Sequence, residues 1–156
     1  MKIVVLSDLH LGFRAYSAVV GGRNQREVDV EQAWFWCVQK ITEIQPDLVL
    51  IPGDIFHHPR VSDFAKKAFI SGLYDISIDC RCPIIVEQGN HDAGKTADVL
   101  TPIMLPTHLI DNLYVVTEPK RIELVVNKGE TFVSVACFPY VARGDGKAYK
   151  MEPDSK

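Results

Sequence analysis

The sequence predicts an α/β fold built on a parallel sheet. Three runs rich in Val, Ile and Leu, at residues 2–6, 47–52 and 83–87, each break off into a polar loop. Two stretches with helical apolar spacing separate them, so the order is strand, helix, strand, helix, strand. Runs that are apolar throughout, rather than alternating, suit strands buried on both faces.

Residues 2–6 read as the first buried strand. Residues 12–26 are polar, and the pair Gly21-Gly22 marks a flexible loop. Asp29 followed by Gln32 has the form of a capping box. Val30, Ala33, Trp34, Cys37, Val38, Ile41 and Ile44 then share one helical face, and Pro46 ends the helix. Residues 47–52 form the second strand and lead into Gly53-Asp54. Ser62 can cap a second helix that turns Phe64, Ala65, Ala68, Phe69, Leu73 and Ile76 inward. Residues 83–87 form the third strand. Beyond it the character changes: residues 113–117, 122–126 and 131–138 read as short meandering strands that form or extend a second sheet, one turn falling at Asn127-Lys128-Gly129.

A chain of 156 residues suits one domain with a substantial core. With 47% hydrophobic and 24% charged residues it has the composition of a folded protein, not a disordered one. A net charge of −3 argues against non-specific nucleic-acid binding by the whole surface, and leaves a local basic groove open. No segment is apolar for long enough to span a membrane. The first apolar run meets Asp8 and His10 at once, too early for a signal peptide, so a cytoplasmic protein is expected. Cys80 and Cys82 lack zinc-knuckle spacing and a matching second pair; with Cys37 and Cys137 they are expected to be reduced thiols.

The polar residues gather at the three strand ends, as Ser7-Asp8-Leu9-His10-Leu11-Gly12, Gly53-Asp54-Ile55-Phe56-His57-His58 and Gly89-Asn90-His91-Asp92. Ligands of open parallel sheets bind beyond the carboxyl ends of the strands, so all three clusters are expected on one rim. Asp, His and Asn offer the oxygen and nitrogen donors that suit Mn, Fe, Zn or Mg. Asp8 and His10, two apart, would share one side of an extended segment. Gly89 to Thr96 also fits the phosphate-cradling pattern G-x-x-x-x-G-K-T. Such a loop must open a helix, yet Pro102 and Pro106 follow closely, and Asp8, His10 and His91 would be left without a role. The match at Gly94, Lys95 and Thr96 is therefore taken as coincidence, and no nucleotide-binding P-loop is expected.

Asp8-x-His10, Gly53-Asp54 and Gly89-Asn90-His91-Asp92 together resemble the motifs of the calcineurin-like metallophosphoesterases. The flanking residues, with Pro46-Asp47-Leu48-Val49-Leu50 before Gly53-Asp54-Ile55-Phe56-His57, are most similar to the SbcD-type nuclease subunits of double-strand-break repair. Phe138-Pro139-Tyr140 is a weaker echo, and the resemblance runs from Lys2 to about Tyr140. It implies a metallophosphoesterase-type α/β/β/α sandwich, incomplete at its C-terminal side. Residues 1–156 would then be a single nuclease domain, the N-terminal two-thirds of the family's. It implies two divalent metal ions, Mn first, with Mg, Fe or Zn as alternatives. Asp8 and His10 would bind one ion, Asp54 would bridge, and Asn90 would bind the second. His91 would stabilise the transition state or protonate the leaving group, Asp92 would orient His91, and His57 would lie near the DNA backbone. The implied partners are DNA, an SMC-like ABC-type ATPase of the SbcC kind, and a second copy of the chain.

The sequence departs from that family in one respect. Its members carry further histidines after the third motif, including a Gly-His-x-His pair. Here only His108 follows His91, and no Gly-His occurs. Three explanations are open: a piece of a longer nuclease, ligands from another polypeptide, or a scaffold that binds a partner protein without catalysis. A general metallophosphatase or phosphodiesterase is the rival within the class.

Overall fold

The computed structural model describes residues 1–93, 110–126 and 129–140. Its centre is a four-stranded sheet in the order β1 (Ile3–Val5), β4 (Leu48–Pro52), β5 (Ile84–Glu87), β6 (Leu113–Val116), every pairing parallel. Helices α1 (Gln25–Ile44) and α2 (Asp63–Cys80) form the two crossovers. Both lie on one face, where Trp34, Val38, Ile41, Phe69, Leu73 and Ile76 close over Val49, Ile51, Ile84 and Val86. The opposite face receives an antiparallel hairpin, β7 (Lys120–Val126) and β8 (Thr131–Cys137). Ile122, Leu124 and Val126 alternate inward from it onto Leu48, Ile85 and Val116. Among the described residues the layers are therefore helices, parallel sheet and hairpin. The expected α/β architecture holds; a further helical layer is not among these residues.

The helices end for local reasons. Ser62 Oγ caps α2 by accepting the Ala65 N–H at 3.2 Å, as its sequence suggests. At the far end of α1, Pro46 forbids continuation and Gln45 turns left-handed, donating its N–H to Ile41. The start of α1 differs from the expected capping box at Asp29. Asn24 is the cap, its Oδ1 accepting the Arg26 N–H at 3.1 Å, so the helix begins at Gln25. Asn24 can do this because residues 12–26 are not simply a loop. Two short strands, β2 (Val19–Val20) and β3 (Arg23–Asn24), pair across Gly21-Gly22, whose positive φ angles allow the tight turn.

Other expectations change as well. Phe64 is exposed rather than inward, with the Arg23 guanidinium 4.3 Å over its ring. Residues 113–116 do not meander with the later strands; they extend the parallel sheet beside β5. The turn residues Asn127 and Lys128 lie outside the described residues, as do Gly94, Lys95, Thr96, Pro102, Pro106 and His108. All four cysteines are free thiols, and burial pushes Cys82 up to about 12.

The two helices pack closely at Gly72. A Cβ there would fall 2.5 Å from Trp34 Nε1, which itself donates to the Ala68 carbonyl at 2.9 Å. In an exposed helix Gly→Ala stabilises by up to about 1 kcal/mol. Here the clash decides the sign: Gly72→Ala should lower unfolding stability by about 1–3 kcal/mol in a urea titration.

Candidate metal centre

Because β1, β4 and β5 are adjacent and parallel, their three carboxyl-end loops meet. The β1 loop carries Asp8 and His10, the β4 loop Asp54 and His57, and the β5 loop Asn90, His91 and Asp92. Backbone bonds bind the first two loops beyond the strands themselves. Asp8, His10 and Leu11 donate to Gly53, Asp54 and Ile55, and His57 donates back to Leu11.

Asp8 and His10 do face one place, but not through an extended segment. Asp8, His10 and Asp54 have φ angles of 57°, 45° and 51°, all in the left-handed region. Non-glycine residues enter it at a cost of about 1–3 kcal/mol each and tend to do so at functional sites. Two tight bends, held by the bonds just named, turn these side chains together.

The β4 and β5 loops also approach closely. A Cβ on Gly89 would lie 2.1 Å from the Asp54 backbone nitrogen and 2.2 Å from its Oδ1, so only glycine fits. Asp54 Oδ1 accepts the His91 N–H at 3.1 Å. Asp92 is fully buried, and its carboxylate accepts the N–H groups of Phe56 at 2.8 Å, Gly89 at 2.9 Å and Ile55 at 3.2 Å. Burial raises its pKa; those three donors work against the rise. The expected contact from Asp92 to the His91 ring is thus replaced by a backbone clamp. The His91 ring is instead oriented by the His57 carbonyl, 2.8 Å from Nδ1. A carbonyl can only accept, so the neutral ring carries its proton on Nδ1 and leaves Nε2 free.

The cleft between the loops, about 270 Å³, is lined by Asp8, Asp54, Glu87 and Asn90, with Phe138 and Tyr140 at its wall. No Lys or Arg is among its lining residues. Ligand atoms of Asp8, His10 and Asp54 lie within 4.8 Å of one another. His10 Nδ1 is buried without a hydrogen-bond partner. Clustered carboxylates with no balancing side-chain cation among the described residues, beside an imidazole nitrogen unpartnered among them, fit a divalent ion. Asn90 is exposed at the same cleft, where its amide oxygen can serve a neighbouring ion. Glu87 was not marked by any sequence motif, and only the register of β5 brings it here.

A wall of imidazoles closes the other side. His10 meets His91 edge-on at 4.8 Å and His57 at 5.4 Å, while His57 and His91 stack at 5.5 Å. Burial, then the neighbouring His58, His10 and His91, hold the His57 pKa below its ordinary value.

A parallel sheet with two carboxylates, an asparagine and histidines at its strand ends defines a metal-centred phosphoesterase scaffold. The calcineurin-like phosphoesterase family model matches residues 1–152, and the chain belongs to that family. Among curated proteins it is similar to the DNA double-strand break repair protein Mre11 of Methanococcus maripaludis. The two are 32% identical over 112 residues, which is 72% of this chain and 28% of that protein. The Mre11 proteins of Methanocaldococcus jannaschii and Aeropyrum pernix are each 29% identical to it, over 67% and 62% of this chain and 27% and 22% of theirs. The chain thus spans about a quarter of the length of these relatives.

If Asp92 is a clamp, its loss should be felt first as instability. Asp92→Ala strands the buried N–H groups of Ile55 and Phe56 and the half-buried one of Gly89, each costing about 1–3 kcal/mol. Thermal unfolding should show a loss of at least about 3 kcal/mol without added metal. A variant as stable as the parent would contradict the clamp.

Proposed function

We propose that this chain carries part of the catalytic centre of a metal-dependent DNA phosphodiesterase, a nuclease of the SbcD and Mre11 kind. The observation that carries the reading is the acidic set Asp8, His10 and Asp54, brought together at two adjacent parallel strand ends. The names of the similar proteins supply the substrate. In this reading residues 1–156 are one domain, the N-terminal two-thirds of the family's. Asp8, His10, Asp54 and Asn90 would hold the two divalent ions. Mn is the first choice. Ions held there would supply Lewis-acid charge to the phosphodiester and lower the pKa of an attacking water.

The chain's own residues do the rest. Asp8 and Asp54, turned inward by their left-handed backbone, fix where the phosphodiester can sit. His91, with Nδ1 tied to the His57 carbonyl, presents Nε2. In the protonated ring that atom donates to the charge on the transition state or to the departing oxygen. His57 is a positioning residue for His91 and flanks the DNA backbone. Partners follow the same reading: DNA, an SMC-like ABC-type ATPase and a second copy of the chain.

A manganese-dependent nuclease assay on the 156-residue chain, with bound metal counted, tests this. Bound metal and DNA cutting are expected, and Asp54→Ala should lose the metal and about a hundredfold or more of the rate. Metal bound without cutting would mean that ligands from further chain or a partner are needed. Faster hydrolysis of an aryl phosphate than of DNA would replace the nuclease with a general phosphatase. Neither metal nor cutting by a folded chain would leave the scaffold reading.

A further inference from the structure

The wall of imidazoles is itself a ligand set. Ligand atoms of His10, His57 and His91 lie within 4.8 Å of one another, and this set shares only His10 with the set Asp8, His10 and Asp54. The donors differ in kind. Two carboxylates and one imidazole make up the acidic set, whereas this one is all imidazole. Carboxylates suit Mg and Mn, and imidazole suits Zn, Cu and Ni. Three imidazoles with an open fourth position are a ligand set of four-coordinate zinc.

The spacing of the rings fits such an ion. With nitrogens about 2.0–2.1 Å from a tetrahedral zinc, imidazole centroids fall about 5 Å apart. Here the three separations are 4.8, 5.4 and 5.5 Å. Nitrogens on one zinc are about 3.4 Å apart, so closing from within 4.8 Å moves each by under about 1 Å. The hydrogen bonding fits as well. His91 Nδ1 is tied to the His57 carbonyl at 2.8 Å, the kind of outer contact that fixes the tautomer of a metal-bound histidine, and Nε2 remains as its ligand atom. His10 Nδ1 and His57 Nδ1 are buried and have no hydrogen-bond partner among the described residues. A buried polar atom left without a partner is costly, and a bound cation answers it. Phe13 and His58 pack against His57, with ring centroids 4.8 and 4.5 Å away, and limit how its ring can turn.

We propose that His10, His57 and His91 form a zinc(II) site distinct from the carboxylate centre, and that zinc held there inhibits that centre. Zinc binds nitrogen donors more tightly than manganese does, so this set favours zinc where both ions are present. On His91 the ion takes Nε2, the atom that would otherwise carry the proton. On His10 it competes for a ligand with the ion held by Asp8 and Asp54. Zinc binding is a property of the three rings alone. The inhibition rests on the nuclease reading above and gives it a means of regulation by metal.

The test is a zinc(II) titration of the 156-residue chain near neutral pH, without other metal, followed by long-range proton–nitrogen NMR of the imidazoles. One equivalent should shift the ring nitrogens of His10, His57 and His91 together, with a smaller change at His58. His57→Gln, which keeps the backbone carbonyl that orients His91, should weaken zinc binding about tenfold or more. Asp54→Asn, outside the set, should cost a small fraction of that. Zinc affinity lowered by Asp54→Asn and untouched by His57→Gln would put the ion among the carboxylates and overturn the site. Three rings left unshifted, whether cysteines take the zinc or nothing does, would overturn it too. In manganese, zinc should inhibit oligonucleotide hydrolysis by the parent at about a tenth of the concentration that His57→Gln requires. Full hydrolysis with the three rings shifted would overturn the inhibitory role. If the parent hydrolyses nothing even without zinc, the nuclease reading falls, and the ring shifts still decide the zinc site.

Discussion

The Asp92 carboxylate is the interaction on which the site depends. It is buried under the loops it joins, with Ile55 and Phe56 from one strand end and Gly89 from the next donating to it. Strands that stop leave backbone N–H groups unpaired, and buried N–H groups without acceptors are costly. One carboxyl side chain answers three of them and locks the β4 loop to the β5 loop. The bare backbone of Gly89 lets that clamp close until Asp54 lies against it. Asp54 then receives the His91 N–H, and the His57 carbonyl receives the His91 ring. The left-handed bends at Asp8, His10 and Asp54 would relax in a loose loop; here neighbouring backbone bonds hold them.

The loops keep opposite charges in separate clefts. Carboxylates of Asp8, Asp54 and Glu87 line one, and Arg14 and Arg60 line the other. Carboxylates gathered without a cation repel one another, so the acidic cleft is relieved by binding one. His57 serves two neighbours: its carbonyl aims His91, and its ring packs on His58.

Much of the fold was legible because its signals are local. Unbroken apolar runs marked β1, β4 and β5, Pro46 ended α1, and Ser62 capped α2. The three polar clusters were legible for the same reason, since parallel strands send their carboxyl ends to one rim. What the sequence hid was set by contacts distant along the chain. Asn24 caps α1 only because the β2–β3 hairpin delivers it, so Asp29 looked the better cap. Phe64 carries a core residue's chemistry but meets Arg23. The family resemblance implied that Asp92 orients His91, yet its acceptors face N–H groups more than thirty residues earlier. Arg14 and Arg60 belong to no motif, and only the folded loops bring them to one cleft.

The central claim is that the loops after β1 and β4 form a preorganised divalent-ion centre at Asp8, His10 and Asp54. The most direct test is a manganese titration followed through side-chain NMR of the histidines and the Trp34 indole. Paramagnetic broadening should strike the His10 ring first, at substoichiometric ion, and then His91 and His57. Trp34, buried between the helices, should keep its line until much later, and Asp8→Asn should remove the selective effect. Equal broadening of His10 and Trp34, or none at a manganese excess, would contradict the claim.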